Sequence, residues 1–101
     1  MPESVKLNLR WTSQSLFHAT LIKKYLLKKF TQTEVDNFYV LLSSFEEAVV
    51  LFPKLYPETK KKLKIRRAIL SRELSVFYKI SKAQIDVLPV LDNRCELVAF
   101  L

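Results

Sequence analysis

The 101-residue chain has a formal net charge of +7, half of its residues are hydrophobic, and it contains one cysteine, one histidine and no glycine. Its length and composition predict a single domain, residues 1–101, with an apolar core. The absence of glycine excludes phosphate-binding loops of the Walker and dinucleotide types, in which the backbone must approach the phosphate closely. Because one cysteine and one histidine make neither a disulfide framework nor a metal-ligand set, we expect no metal and no cofactor. The sequence also predicts a cytoplasmic protein with no membrane span and no small-molecule substrate.

The first predicted elements are a strand and a helix. Residues 5–11, VKLNLRW, alternate apolar and polar side chains, which predicts a half-buried strand. Thr12 or Ser13 then caps a helix. Apolar side chains at helical spacing predict one broad buried stripe on this helix, made of Leu16, Phe17, Ala19, Ile22, Tyr25, Leu26 and Phe30.

A second helix follows at once and has the strongest periodicity in the chain. Thr31 and Glu34 have the spacing of a capping box, and Pro53 ends the helix. The apolar residues recur at steps of three and four, at Val35, Phe38, Leu42, Phe45, Val49 and Phe52. Because the link between the two helices is so short, we expect them to form an antiparallel hairpin.

The second half of the chain predicts a loop over residues 53–62 and then three strands. These strands cover residues 63–70, 74–80 and 85–92, with Pro89 at an edge or a bulge, and residues 97–101 form a short strand or a packed tail. The predicted fold class is therefore α+β, in the order strand–helix–helix–strand–strand–strand. The helical hairpin should cover one face of a mainly antiparallel sheet.

The positive charge is concentrated in one segment. Residues 54–72 contain eight cations and one anion, so this window carries a net charge of +7 and the rest of the chain is neutral. Such a concentration favours a surface that attracts anionic partners. The alternative is a solvated loop and strand edge, where lysines also discourage aggregation.

Four other side chains have the chemical groups for base stacking, acid–base or nucleophilic roles. The period of its strand places Tyr78 in the core, whereas Phe77 is left open as a base-stacking candidate. His18 has no nucleophile paired with it in the sequence and is interpreted as a structural or surface histidine. Cys95 is interpreted as a small buried hydrophobe or an incidental thiol.

Over nearly all of its length the chain resembles the RelE/ParE superfamily of type II toxin–antitoxin toxins. No single motif carries the resemblance; the order and spacing of five stretches do. They are Trp11-Thr12-Ser13 after the first strand, Leu51-Phe52-Pro53 at the end of the hairpin, IRRAIL at 65–70, LSVFYKI at 74–80, and LDNR at 91–94. The resemblance implies the fold of this superfamily, whose element order is the predicted one.

The resemblance implies one of two activities. RelE-like members cut messenger RNA in the ribosomal decoding site with lysines and arginines on the sheet and a C-terminal Tyr or His. ParE-like members poison DNA gyrase and lack that set. Here Ala68 occupies a position where the RelE pattern has a cation, Ser75 or Leu74 stands where it has an arginine, and no Tyr or His follows Arg94. These departures favour the ParE-like activity.

We therefore expect the toxin component of a toxin–antitoxin module of the plasmid-stabilisation type. It would inhibit growth by binding and poisoning DNA gyrase, without chemistry of its own, and its cognate antitoxin would be its partner. The candidate partner-binding or nucleic-acid-binding residues are the cations Lys60, Lys61, Lys62, Lys64, Arg66, Arg67, Arg72 and Arg94.

Two alternatives remain open from the sequence. One is a RelE-type ribosome-dependent messenger endoribonuclease, in which the phosphate-binding candidates are Arg66, Arg67, Arg72 and Arg94. The other is an inactive basic module that has kept only antitoxin binding.

Overall fold

The computed structural model describes residues 7–60 and 63–94. In these residues the elements are β1 (Asn8–Trp11), α1 (Ser13–Lys29), α2 (Gln32–Leu51), β2 (Glu58–Lys60), β3 (Ile65–Ile69), β4 (Leu74–Ser81) and β5 (Gln84–Asp92). The predicted α+β class and element order are confirmed, with one addition, since the short strand β2 lies in the segment predicted as a loop. Residues 5–6 of the predicted first strand and the predicted segment 97–101 lie outside the described residues.

The strands form one five-stranded sheet in the order β1-β5-β4-β3-β2. Neighbours β5, β4, β3 and β2 pair antiparallel, whereas β1 pairs with β5 in parallel, from Asn8 opposite Gln84 to Trp11 opposite Val87. The sheet is therefore mainly antiparallel, as predicted. Neither helix in the described ranges has the length and apolarity needed to cross a membrane.

The helix cap predicted for α1 forms, whereas the capping box predicted for α2 does not. Thr12 caps α1, and its side-chain oxygen accepts a hydrogen bond from the Ser15 amide at 3.2 Å. Thr31 occupies the N-cap position of α2, but its side chain makes no capping hydrogen bond. The predicted capping box is wrong because the Glu34 carboxylate instead accepts a hydrogen bond from Arg94, which is 60 residues away in sequence and cannot be identified from local spacing.

The core lies between the helical hairpin and one face of the sheet. All but the last residue of the predicted α2 stripe are buried, namely Val35, Phe38, Leu42, Phe45 and Val49. The helices bury these side chains against β3, β4 and β5, where Ala68, Val76, Tyr78, Ile85 and Val87 have no exposed surface. Burial of each large apolar side chain contributes roughly 1.5–3 kcal/mol, so this layer supplies most of the driving force for folding.

The predicted apolar stripe of α1 is too broad. Leu16 and Phe17 are 53% and 62% exposed, whereas Ser15 and His18 are buried. The face of α1 that meets the sheet is set by the buried positions Ser15, His18, Ala19, Ile22 and Leu26, which recur at helical spacing. Phe52 is also misassigned to the core: it lies one residue beyond α2 and is 64% exposed.

A β-bulge reverses the faces of β5. Two residue pairs flank the irregularity: Val76 opposite Val90, and Tyr78 opposite Val87. Two residues of β5, one of them Pro89, thus oppose a single residue of β4. The prediction that Pro89 lies at an edge or a bulge is confirmed, but the alternation predicted for residues 85–92 is wrong after the bulge. As a result, Asp92 faces inward and is fully buried.

Candidate functional site

The two arginines at the centre of the basic segment lie on opposite faces of the sheet. Arg66 pairs with Tyr78, and Arg67 pairs with Phe77. Because side chains alternate along a strand and Tyr78 is fully buried against the helices, Arg66 lies on the helix side. Arg67 lies on the face turned away from the helices, which we call the open face. The basic segment therefore forms two surfaces and not one.

On the helix side, Arg66 is held by the loop that joins α2 to β2. Its Nη1 donates a hydrogen bond of 2.6 Å to the carbonyl oxygen of Tyr56, and its Nη2 lies 3.8 Å from Oε2 of Glu58. Its side chain is only 15% exposed. These contacts fix the position of the guanidinium group.

An aromatic cluster holds this loop in place. The Tyr78 hydroxyl donates a hydrogen bond of 2.7 Å to the carbonyl oxygen of Pro53, and burial raises the pKa of this hydroxyl. The Tyr78 ring packs edge-on against the rings of Phe45 and Tyr56. The expectation that Tyr78 is a core residue is confirmed, and its hydroxyl is committed to holding the loop.

Beside Arg66 the chain forms a cleft of about 270 Å³, which we call the basic pocket. Its walls carry three cations, one carboxylate and one apolar side chain: Lys54, Lys64, Arg66, Glu58 and Ile80. Lys64 is in the left-handed region, with φ of 56°, at the turn before β3. Lys54 was not among the candidates taken from the sequence. In the sequence, Lys54 is marked only by its position at the start of the basic window, before the lysine run.

An apolar patch lies next to the basic pocket. It is formed by Leu51, Phe52, Pro53, Lys54 and Leu55 at the end of α2. Leu51, Phe52 and Leu55 are 42%, 64% and 55% exposed. This patch is not predicted from the sequence, because helical periodicity assigns Phe52 to the core.

On the open face, Arg67 is ordered by two neighbours from β4. Its Nε and Nη2 donate hydrogen bonds of 3.2 and 3.1 Å to Oγ of Ser75, and its guanidinium carbon lies 5.6 Å from the centre of the Phe77 ring. Phe77 is half-buried. A cation stacked on an aromatic ring can bind a base or a carboxylate.

Arg94 has most of its donors engaged by carboxylates. Its Nε and Nη2 donate to the two oxygens of Asp92 at 3.0 and 2.8 Å, and its Nη1 donates to Oε1 of Glu34 at 2.7 Å. Its guanidinium also lies 5.5 Å from the centre of the Phe30 ring. The hydrogen bonds to Asp92 are the main reason that the pKa of Arg94 is raised. We call this group the Arg94 clasp, because it ties the end of β5 to the start of α2.

The structure describes the remaining predicted cations only in part. Arg72 is exposed in the turn before β4, and Lys60 ends β2. Lys61 and Lys62 lie outside the described residues. Of the five candidates whose side chains the structure describes, it brings only Lys64 and Arg66 together in one pocket, with Lys54 as the added member. That the eight cations bind a partner or nucleic acid stays a prediction.

His18 is buried in α1, and its Nδ1 has no hydrogen-bond partner in the described part of the chain. Burial lowers the pKa of this imidazole below 6.5. No set of three or more His, Cys, Asp or Glu side chains within residues 7–60 and 63–94 is placed to hold a metal ion. Cys95 lies outside the described residues.

Solved structures of other proteins share this architecture. A chain of the chromosomal ParDE toxin–antitoxin system from P. aeruginosa aligns with a TM-score of 0.72 over 88% of this chain and 98% of its own length, at 12% identity. This chain has the RelE/ParE-type toxin fold. A copper-bound mutant toxin from Helicobacter pylori aligns with a TM-score of 0.46 over 87% and 96% of the two chains, at 16% identity. No family model and no curated protein matches the sequence. The RelE/ParE-type fold implied by the resemblance is thus confirmed by structure.

Proposed function

We propose that this chain is the toxin of a type II toxin–antitoxin module and that it inhibits growth in the cytoplasm by binding and poisoning DNA gyrase. The observation that carries the proposal is the shared fold: the alignment with a chain of a ParDE system covers 88% of this chain and nearly all of the other. The concentration of the whole net charge in residues 54–72 supports an anionic protein partner, and an antitoxin with an acidic segment meets that requirement.

The arrangement of the arginines supports a toxin that binds rather than cleaves. A phosphate-cleaving site needs its cations and its proton donor around one reacting group. Arg66 and Arg67 instead lie on opposite faces of the sheet, and Arg94 is engaged by two carboxylates. The hydroxyl of Tyr78 beside Arg66 is fully buried and donates to a backbone carbonyl.

Controlled expression of this chain alone in bacteria tests the proposal, with growth, plasmid supercoiling and messenger integrity read from the same cells. Gyrase poisoning gives growth arrest with altered supercoiling and intact messengers. A parallel assay with purified gyrase should show blocked supercoiling or stabilised DNA cleavage.

Two other results would replace the proposal. Arrest with cleaved messengers, abolished by Arg67→Ala in a chain of unchanged circular dichroism, indicates the ribosome-dependent endoribonuclease. Normal growth in the presence of soluble, folded protein indicates an inactive basic module.

A further inference from the structure

The basic pocket and the apolar patch are two parts of one continuous surface. Lys54 lies between them and contributes to the wall of both. The residues that precede Lys54 in the chain are apolar, and the other walls of the basic pocket come from β2, the turn before β3, β3 and β4. A ligand that fills both parts therefore carries a negative group directly beside an apolar one.

The basic pocket suits one carboxylate. Its three cations outnumber its single carboxylate, Glu58, so its net charge is positive. Arg66 is already held by the Tyr56 carbonyl and 15% exposed, so little conformational entropy is lost when it binds an anion. Glu58, which is 31% exposed, offsets one of these cations and leaves the others for an incoming anion.

The apolar patch suits an aliphatic or aromatic side chain. Three large apolar residues of the patch are each at least two-fifths exposed, which is unfavourable unless a partner covers them. A nucleic-acid backbone offers no apolar group to such a surface. The apolar patch therefore favours a peptide, which can carry a carboxylate and apolar side chains on one chain, over a nucleic-acid backbone.

We infer that the loop after α2 is a docking site for a partner segment in which acidic and apolar residues are neighbours. The acidic side chain enters the basic pocket and pairs with Lys54, Lys64 and Arg66, and the apolar side chains cover Leu51, Phe52 and Leu55. The partner that supplies this segment is the antitoxin, and in that respect the inference rests on the proposed function.

The test measures binding of a fluorescently labelled 12-residue peptide of alternating glutamate and leucine by anisotropy. The double variant Lys54→Gln/Lys64→Gln should bind it about tenfold more weakly, since each pair of partly exposed charges contributes modestly and the two losses add. The matched control Lys23→Gln/Lys24→Gln removes the same charge from exposed positions of α1 and should change the affinity less than about twofold. Leu55→Ser should weaken binding of this peptide. A second peptide, with serine in place of leucine, should bind much more weakly, and Leu55→Ser should not change its affinity.

Several results would overturn the inference. Equal weakening by the two double variants means that only long-range charge attracts the peptide. A labelled 12-nucleotide RNA that binds more tightly than the peptide, and that loses affinity in Lys54→Gln/Lys64→Gln, makes the pocket a nucleic-acid site. No measurable peptide binding also rejects it. Growth arrest is measured separately. If the chain binds the peptide but does not arrest growth, the docking site stands and only the toxin proposal is rejected.

Discussion

Arg94→Met should lower the free energy of unfolding by about 3 kcal/mol, because it breaks the Arg94 clasp and leaves a buried carboxylate without its cation. Asp92 is fully buried and accepts from Nε and Nη2 of Arg94 and from the backbone amide of the same residue at 2.8 Å. Methionine keeps the length of the aliphatic stem but leaves the buried carboxylate with the amide alone. Removing one partner of a buried ion pair costs about 3–5 kcal/mol. Arg94 is 23% exposed, so water reaches the vacated side and the cost should fall at the lower end of this range.

The assay is equilibrium unfolding in urea, followed by fluorescence of the single tryptophan, Trp11, and by circular dichroism. With a slope of about 1.5 kcal/mol per molar urea for a domain of this size, the midpoint should fall by about 2 M. Glu34→Gln is the matched control. Its carboxylate is 37% exposed, and its loss should cost less than about 1 kcal/mol.

A double variant separates the ion pair from its surroundings. Arg94→Met with Asp92→Leu removes both charges and should recover most of the stability lost in the single variant, because an apolar pair has no desolvation penalty. A cost of less than about 1 kcal/mol for Arg94→Met would contradict the penalty for an unpaired buried carboxylate, and so would a double variant no more stable than Arg94→Met.

Two further predictions concern the buried polar side chains. Tyr78→Phe removes the hydrogen bond to the Pro53 carbonyl and should lower the free energy of unfolding by about 1–2 kcal/mol. The control Tyr39→Phe, at a 42% exposed position, should leave the urea midpoint nearly unchanged. Equal effects of the two substitutions would contradict a special role for the buried hydroxyl. Because burial lowers the pKa of His18, its neutral form stabilises the fold at pH above the unfolded value of 6.5, and this contribution is lost as the pH falls through the folded pKa. The free energy of unfolding should therefore decrease between pH 7.5 and 5.5 in the natural chain and much less in His18→Leu, and an equal decrease in both would exclude His18 as the source.

The parts of the fold that depend on local periodicity could be predicted from the sequence. The α2 stripe from Val35 to Val49 and the inward-facing residues of β4 lie where their spacing places them. In both elements one continuous face meets the core, so the period and the burial coincide. The same reasoning failed for β5, because a bulge exchanges the two faces within the strand and its position depends on pairing with β4.

The candidate site could be predicted less well, because its charges are defined by partners distant in sequence. Arg94 and Glu34 are 60 residues apart, and no local pattern shows that they neutralise each other. The alternation of side chains along a strand is enough to place Arg66 and Arg67 on opposite faces of the sheet. It did not show that the loop after α2 folds back over Arg66 and adds Lys54 to its pocket.

The parallel pairing of β1 with β5 has a consequence for synthesis on the ribosome. Residues of β1 find their partners 76 positions later in the chain, as Arg10 and Asp86 do. At roughly 5–20 residues per second, several seconds pass before the partner strand has been made. During that time the first strand has a free edge and the two helices have no complete sheet to cover. Any protein that contacts the nascent chain in this interval therefore meets β1 without its sheet partner.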